Sequence, residues 1–140
     1  MTAFDYPDSV IEKILKESSS IALVGASPRP ERASHRVMKF LQSRGHKVYP
    51  VNPAAAGETI NDETVLASLD DLPASVDMVD IFRRSSEAGA VVDDAIRIGA
   101  RTVWLQLDVI DEAAAARAEG AGLTVIMDRC PVIEYRRLGL

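Results

Sequence analysis

The sequence predicts an α/β protein with one parallel β-sheet of about five strands. Five short apolar segments alternate with amphipathic segments of helical periodicity, and three of the latter end at glycines before the next apolar segment: Gly45, Gly99 and the pair Gly120 and Gly122. This alternation is typical of βαβ units, in which a helix connects two parallel strands. Because such crossovers are right-handed, helices cover both faces. The expected fold is a single Rossmann-like, doubly wound domain.

The composition agrees with one domain over residues 1–140. The chain is 47% hydrophobic and 26% charged, and domains commonly contain about 100 to 150 residues. A net charge of −5 disfavours nucleic acid as a partner. No apolar segment approaches the roughly 18 residues of a membrane span, and the start of the chain does not have the pattern of a signal peptide. A single cysteine, Cys130, excludes an internal disulfide and favours the cytoplasm.

The individual elements follow from periodicity and turn residues. The predicted strands are 20–24, 46–51, 77–82, 102–106 and 123–126. The predicted helices are 9–18, opened by a capping box at Ser9 and Glu12, then 33–44, 86–98, and a segment from Asp108 or Asp111 to about 119. Residues 1–6 are expected to be irregular, the N-terminal helix within 1–19 to cover the sheet, 54–73 to form a partial helix or extended crossover, and 127–140 to form a tail. In chain order, the expected strand order is 3-2-1-4-5, with the ligand crevice beyond the first and fourth strands.

The segment from Gly25 to Arg36 is the strongest candidate for a binding site. It links the first strand to a helix, where backbone N–H groups and the helix dipole favour anions. The basic residues of this segment and of the helical turn after it outnumber the one acid, Glu31, and hydroxyl groups accompany them: Arg29, Arg32, His35, Arg36 and Lys39, with Ser27 and Ser34. We interpret it as a phosphate-binding loop, the alternative being a solvated loop and an exposed helix face.

The loop does not have the dinucleotide fingerprint G-x-G-x-x-G. Only Gly25 matches, because the next two glycine positions are Ser27 and Pro30. The acidic residue that would bind the ribose of NAD after the second strand is also missing, and Asn52 and Pro53 follow that strand. These departures disfavour nicotinamide chemistry. No Walker A or G-x-S-x-G motif is present.

Other candidates lie at the ends of later strands. Arg83 or Arg84 could bind a phosphate through its guanidinium group or be a surface residue at a helix start. Phe82 could wall an adenine pocket or be part of the core. Gln106 ends an apolar strand and needs a partner, either a ligand or neighbouring backbone.

The remaining polar residues give weaker signals. Asp77 and Asp80 lie on opposite faces of a strand, which excludes a shared acid–base site, and Asp80 is expected to accept from loop N–H groups. His35 and His46 with one cysteine do not make a metal cluster, and nothing in the sequence fixes a triad of Ser27, His35 and an aspartate. Cys130 is either activated by Arg129 or simply a small buried residue, the reading that we favour.

Several segments together resemble the small stand-alone bacterial CoA-binding proteins, which are similar to the CoA-binding domain of the succinyl-CoA synthetase α subunit. The segments are 22–27, 34–41, 48–53, 79–83, 104–106 and 127–131. They extend over nearly the whole chain after residue 20, and their order and spacing are more specific than any one motif.

The resemblance implies that CoA, or an acyl-CoA, lies along the crevice. Gly25, Ala26, Ser27 and the basic residues of the loop, with Arg32, Ser34 and His35 among the candidates, would contact its phosphates. Asn52, Pro53, Phe82 and Arg83 would flank the adenosine, Gln106 would lie toward the pantetheine, and the thiol would approach Cys130, where a mixed disulfide could form. The phosphorylated histidine and further domains of the synthetases have no counterpart here.

We therefore expect a non-catalytic CoA-binding protein with no metal and no catalytic residue. The alternatives are a small NAD(P)-dependent oxidoreductase and an interaction domain without a ligand. A homodimer and an unidentified protein partner both remain open.

Overall fold

The computed structural model describes residues 5–140, so residues 1–4 of the segment expected to be irregular lie outside it. Within the described residues the fold is an α/β domain with a five-stranded parallel sheet and a separate β-hairpin. The elements are α1 (Asp8–Glu17), β1 (Ser20–Val24), α2 (Ala33–Ser43), β2 (Lys47–Val51), β3 (Thr59–Ile60), β4 (Glu63–Thr64), β5 (Met78–Ile81), α3 (Ser85–Arg97), β6 (Thr102–Leu105), α4 (Glu112–Gly120), β7 (Thr124–Ile126) and α5 (Pro131–Arg137). The predicted fold class is confirmed.

The order of the strands differs from the expected one. It is β2-β1-β5-β6-β7, with parallel pairs throughout, so in chain order it reads 2-1-3-4-5 and the expectation of 3-2-1-4-5 was wrong. Pro50 gives the physical reason, because proline has no N–H to donate and is confined to edge strands. The carbonyl oxygen of Pro50 accepts from the N–H of Leu66 at 2.9 Å, so the missing donor faces away from β1.

This order moves the point at which the winding of the sheet reverses. From β1 the chain goes to β2 on one side, whereas β5 pairs with β1 on the other side. In open α/β sheets the ligand crevice lies beyond the carboxyl ends of the strands at such a point. The crevice is therefore between the turns after β1 and β5, and not between those after the first and fourth long strands as expected.

Each face of the sheet packs against its own helices. α1, α2 and α5 cover the face that carries Leu23 and Trp104, and α3 and α4 cover the face that carries Val24 and Leu105. Neighbouring strand residues alternate between the two faces, and both faces are apolar because both are covered. α1 buries Ile11, Ile14 and Leu15 on the first face, as expected of a covering helix.

Several local details differ from the expectations. α1 begins after Pro7 with no side-chain cap, so the predicted capping box of Ser9 and Glu12 was wrong. Asp111 caps α4 by accepting from Ala114 N–H at 3.0 Å, which decides between the two proposed caps. Residues 54–73 contain the β3–β4 hairpin and short 3-10 turns, and 127–140 contains α5 where a tail was expected. None of the helices in residues 5–140 is both long and apolar enough to cross a lipid bilayer.

Candidate functional site

The turn after β1 lies directly against the turn after β5. The N–H of Phe82 donates to the carbonyl oxygen of Val24 at 2.8 Å. Gly25 has a φ of 94°, a backbone conformation that is unfavourable for residues with a side chain. A Cβ added to Gly25 would lie 2.0 Å from the carbonyl oxygen of Phe82. Glycine is therefore required here, and its contact with Phe82 joins the two turns that border the crevice.

The backbone next to Gly25 is already hydrogen-bonded within the protein. The N–H groups of Gly25 and Ala26 both point to the carbonyl oxygen of Val51, at 2.8 and 3.4 Å. Asn52 donates from Nδ2 to the carbonyl oxygen of Ala26 at 2.8 Å. The N–H groups of Gly25 and Ala26 are therefore not free to bind an anion, although backbone N–H groups of this segment were expected to do so. Contacts to an anion must come from other atoms of the loop.

His35 holds the loop that connects β1 to α2. Its Nδ1 lies 3.1 Å from the carbonyl oxygen of Ser27, so this nitrogen carries the proton and donates. The hydroxyl oxygen of Ser27 accepts from the N–H of Arg29 at 3.1 Å. His35 thus contacts the Ser27 carbonyl and not its hydroxyl, which does not favour a triad.

The loop lines a pocket of about 410 Å³ beyond the carboxyl ends of β1 and β5. Arg29 and Arg32 are exposed, and within residues 5–140 no ion pair involves either of them. α2 begins beside them without a side-chain cap and without an acid in its first turn. An anion here would meet two guanidinium groups and the positive end of α2. The lining residues are Gly25, Ser27, Arg29, Arg32, Ala33, Ser34, Asn52 and Phe82.

A larger groove of about 660 Å³ follows α2 on the side of α5. Ala33 lines the groove as well as the pocket, so the two cavities meet at the start of α2. The groove reaches Ser43, ten residues further, which is about 15 Å along the helix axis. Its lining is apolar except for cations and a few uncharged polar groups: Ala33, Arg36, Val37, Lys39, Phe40, Ser43, Gln106, Leu107, Cys130, Val132, Ile133 and Arg136.

Gln106 and Cys130 both line the groove. Gln106 is 6% exposed, and its Oε1 has no hydrogen-bond partner among the described residues. A buried acceptor without a donor is costly, of the order of 1 to 3 kcal/mol, so an N–H of a ligand would be favourable there. Cys130 has a free thiol, is 8% exposed and directly precedes α5.

Of the other predicted site residues, one lines the pocket and four lie outside both cavities. Phe82 lines the pocket, whereas Ala26, His35, Pro53 and Arg83 line neither cavity. Ala26 and His35 hold the loop from within, through the hydrogen bonds described above. Pro53 starts a short 3-10 turn after β2 and is exposed, and Arg83 is half-buried beside Phe82.

Asp80 lies in the core, opposite Leu23 and Trp104 on the neighbouring strands. It is 0% exposed, and neither carboxylate oxygen has a hydrogen-bond partner within residues 5–140. The expectation that loop N–H groups donate to it was wrong. Burial raises the pKa of Asp80 from 3.8 to about 8, because desolvation disfavours the charged form. Asp80 lines neither cavity and is protonated at neutral pH.

The contribution of α5 to the groove was not predicted from the sequence. Val132, Ile133 and Arg136 line the groove from this helix. A signal was present, because Pro131 occupies the first helical position, where proline is favoured, and Val132, Tyr135 and Leu138 follow at a helical spacing. In residues 5–140 there is no group of three His, Cys, Asp or Glu side chains that could bind a metal ion.

These features define a doubly wound α/β domain with a cationic pocket at the reversal of its sheet and an apolar groove beside it. A comparison with family models shows to which family of such domains the chain belongs. The chain belongs to the CoA-binding domain family, whose model matches residues 19–136.

Individual relatives agree with this membership. The uncharacterized protein YneT of Bacillus subtilis (strain 168) is 38% identical over 120 residues, which cover 86% of this chain and 87% of YneT. A hypothetical protein from Pyrococcus horikoshii OT3 superposes with a TM-score of 0.93 at 36% identity, over 100% of this chain and 97% of that one. The apo form of a dinucleotide-forming acetyl-coenzyme A synthetase 1 from Ca. Korarchaeum cryptofilum gives a TM-score of 0.69 at 27% identity, over 82% of this chain and 27% of the synthetase. The predicted resemblance, to a small CoA-binding protein similar to one domain of a larger CoA synthetase, is confirmed.

Proposed function

We propose that this protein binds CoA or an acyl-CoA and has no catalytic activity of its own. The observation that carries the proposal is the junction at Ala33, where a cationic pocket meets a largely apolar groove. CoA has the same division, because its phosphates lie toward one end and its pantetheine arm with a terminal thiol lies toward the other. Family membership supports CoA over other phosphate-bearing ligands.

The proposed contacts follow from the lining residues. The phosphates lie against Arg32 and Ser34 at the start of α2, where guanidinium groups bind phosphate oxygens well. The adenosine lies between Asn52 and Phe82. The pantetheine arm enters the groove, where one of its amide N–H groups donates to the unpartnered Oε1 of Gln106.

The absence of catalysis is also a proposal. His35 contacts the Ser27 carbonyl and not its hydroxyl, and Asp80, the acid with the raised pKa, lines neither cavity. The thiol of CoA would lie near Cys130, which lines the groove. We further propose that the protein works in the cytoplasm on this small-molecule ligand, without binding nucleic acid or a membrane, in keeping with a net charge of −5 and one cysteine.

Calorimetric titration tests the ligand. CoA and acetyl-CoA should bind with dissociation constants well below millimolar, a level that corresponds to only about −4 kcal/mol, and NADH and ATP should bind more weakly. Binding of NADH without binding of CoA would refute the proposal.

Charge reversal tests the position of the phosphates. Arg32→Glu should weaken CoA binding about tenfold or more, because a charge-assisted hydrogen bond is lost and a repulsion is added. Arg101→Glu makes the same change of net charge at an exposed residue that lines neither cavity, and it should leave the affinity unchanged. Equal affinities of the two variants would remove Arg32 from the site.

A further inference from the structure

Three large apolar side chains of residues 5–140 are exposed to solvent. They are Leu107, Ile110 and Ile133, with exposed fractions of 45%, 37% and 49%. Leu107 and Ile133 line the groove, whereas Ile110 lines neither the groove nor the phosphate pocket. A CoA molecule in these two cavities therefore leaves Ile110 uncovered. Apolar side chains that are exposed together are typical of a protein interface.

These side chains follow one another across the carboxyl ends of the strands. Ile110 is on the side of α3, because its N–H donates to Oγ of Ser85 at 2.9 Å. Leu107 is three residues earlier in the same loop and shares the groove with Ile133 of α5. Leu107 is thus the middle member of an apolar patch made of Ile110, Leu107 and Ile133.

The two ends of the apolar patch carry opposite charges. Asp108 and Glu112 are exposed on either side of Ile110 in the chain, and Lys39 and Arg136 are exposed where they line the groove with Ile133. Within residues 5–140 none of these four side chains takes part in an ion pair. The pantetheine arm of CoA is uncharged, so it would not neutralise the cations of the groove.

We infer that the apolar patch is the contact surface of a homodimer, and that a second copy of this chain covers it. In a two-fold contact the same surface of both copies meets in reversed direction. The acids of each copy then face the cations of the other, and the two Leu107 side chains meet near the axis. A patch with one sign of charge would repel its own copy, whereas this one attracts it at both ends.

The dimer goes beyond the proposed function and does not require it. Asp108, Ile110 and Glu112 line neither cavity, and the phosphate pocket takes no part in the contact. Lys39 and Arg136 are exposed, so acids of the second copy approach them from outside the groove.

Sedimentation velocity without CoA tests the inference. The wild type should be a dimer at about 100 μM, because interfaces of standard size have dissociation constants in the micromolar range or below. Leu107→Glu puts two like charges at an apolar centre and should raise the dissociation constant by at least about tenfold, and Ile110→Glu should also weaken the dimer. Thr59→Glu makes the same change of charge at an exposed residue of β3 and should leave the dimer intact.

A charge exchange tests the reversed arrangement. Lys39→Glu makes both ends of the patch acidic and should weaken the dimer by about tenfold at low salt. Adding Glu112→Lys to Lys39→Glu returns a cation to one end and should recover part of the lost affinity. Lys13→Glu makes the same substitution at an exposed residue of α1 and should have no effect. All of these variants should show the circular dichroism spectrum of the wild type, because the substituted side chains are exposed.

The other results overturn the inference. A wild type that is monomeric at every concentration refutes it, and a different protein would then be the candidate to cover the patch. A dimer that is unaffected by Leu107→Glu and Ile110→Glu uses another surface of the chain. If Glu112→Lys recovers none of the affinity that Lys39→Glu removes, the acidic and cationic ends do not face each other.

Discussion

The buried carboxyl of Asp80 gives a quantitative prediction about stability. Its pKa is about 8 in the folded protein and 3.8 without burial. Between these values the folded protein holds a proton that the unfolded chain releases, so unfolding becomes easier as the pH rises. The stabilising effect of the protonated form is fully present below the unfolded pKa and is lost as the pH rises toward the folded pKa.

The magnitude follows from the proton linkage. A difference of one proton bound between the two states changes the free energy of unfolding by about 1.4 kcal/mol per pH unit. Between pH 5 and pH 7, which both lie between the two pKa values, the free energy of unfolding of the wild type should fall by about 3 kcal/mol because of Asp80. Asp80→Asn has no group that titrates here, so its stability relative to the wild type should increase by the same amount.

Urea denaturation at the two pH values measures this difference. Asp80→Ala packs differently from Asp80→Asn but also lacks the carboxyl, so both variants should show the same relative gain whatever their absolute stability. Glu58→Gln, which removes an exposed acid, is the control. Its difference in unfolding free energy from the wild type should change much less between the two pH values. If the wild type and both Asp80 variants keep a constant difference in unfolding free energy between pH 5 and pH 7, the assignment of a raised pKa is refuted.

Two further predictions concern the loop and the α1–α5 side of the sheet. Gly25→Ala should cost about 3 kcal/mol or more, since the added Cβ would lie 2.0 Å from the backbone oxygen of Phe82; thermal unfolding measures it. His46 contacts the Ser18 carbonyl and the Tyr135 hydroxyl at 2.6 Å each, and burial lowers its pKa below 6.5. Its contribution to stability should be present above pH 6.5 and decline below it, so the advantage of the wild type over His46→Gln in urea denaturation should be smaller at pH 5 than at pH 7.

Each of these predictions has a control. Gly120→Ala should leave the protein as stable as the wild type or make it more stable, because nothing lies within 4 Å of a Cβ added there. Melting of Gly25→Ala at the wild-type temperature would show that the turn can move away from Phe82. A pH-independent difference between the wild type and His46→Gln would show that protonation of His46 is not linked to unfolding.

The elements of the fold were predictable because local patterns encode them. The five long strands and four of the helices agree with the apolar segments and their periodicity to within about two residues at most ends. The pairing of the strands was not predictable from apolarity, since strands covered on both faces look alike. Pro50 disfavours a central position for its own strand, because a strand with proline belongs at an edge, but it leaves the order of the other four strands open. α5 was not predicted: Pro131 and the spacing of the apolar residues after it do indicate a helix, but its seven residues show that spacing over only about two turns.

The candidate site was partly predictable, because local sequence patterns also mark the ends of the strands. The loop from Gly25 to Ser34, with Asn52 and Phe82, could be inferred from residue types at strand ends. Seven of the residues predicted there line one pocket: Gly25, Ser27, Arg29, Arg32, Ser34, Asn52 and Phe82. The groove could not be inferred, because it requires α2 and α5 to lie side by side although their sequences are almost ninety residues apart. Packing on one sheet face brings Lys39 and Arg136 to the same groove.

The sequence by itself determined the class of the protein: alternating apolar strands and amphipathic helices specify an α/β sheet, and Gly25 with its basic neighbours predicts a cationic turn at the end of the first strand. These are local properties, set by side-chain periodicity, glycine geometry and charge. Only the tertiary structure decided the strand order, the meeting of pocket and groove at Ala33, and the burial of Asp80 without a partner. Those features depend on contacts between distant segments, and the free energy that selects them comes from burial in the assembled core.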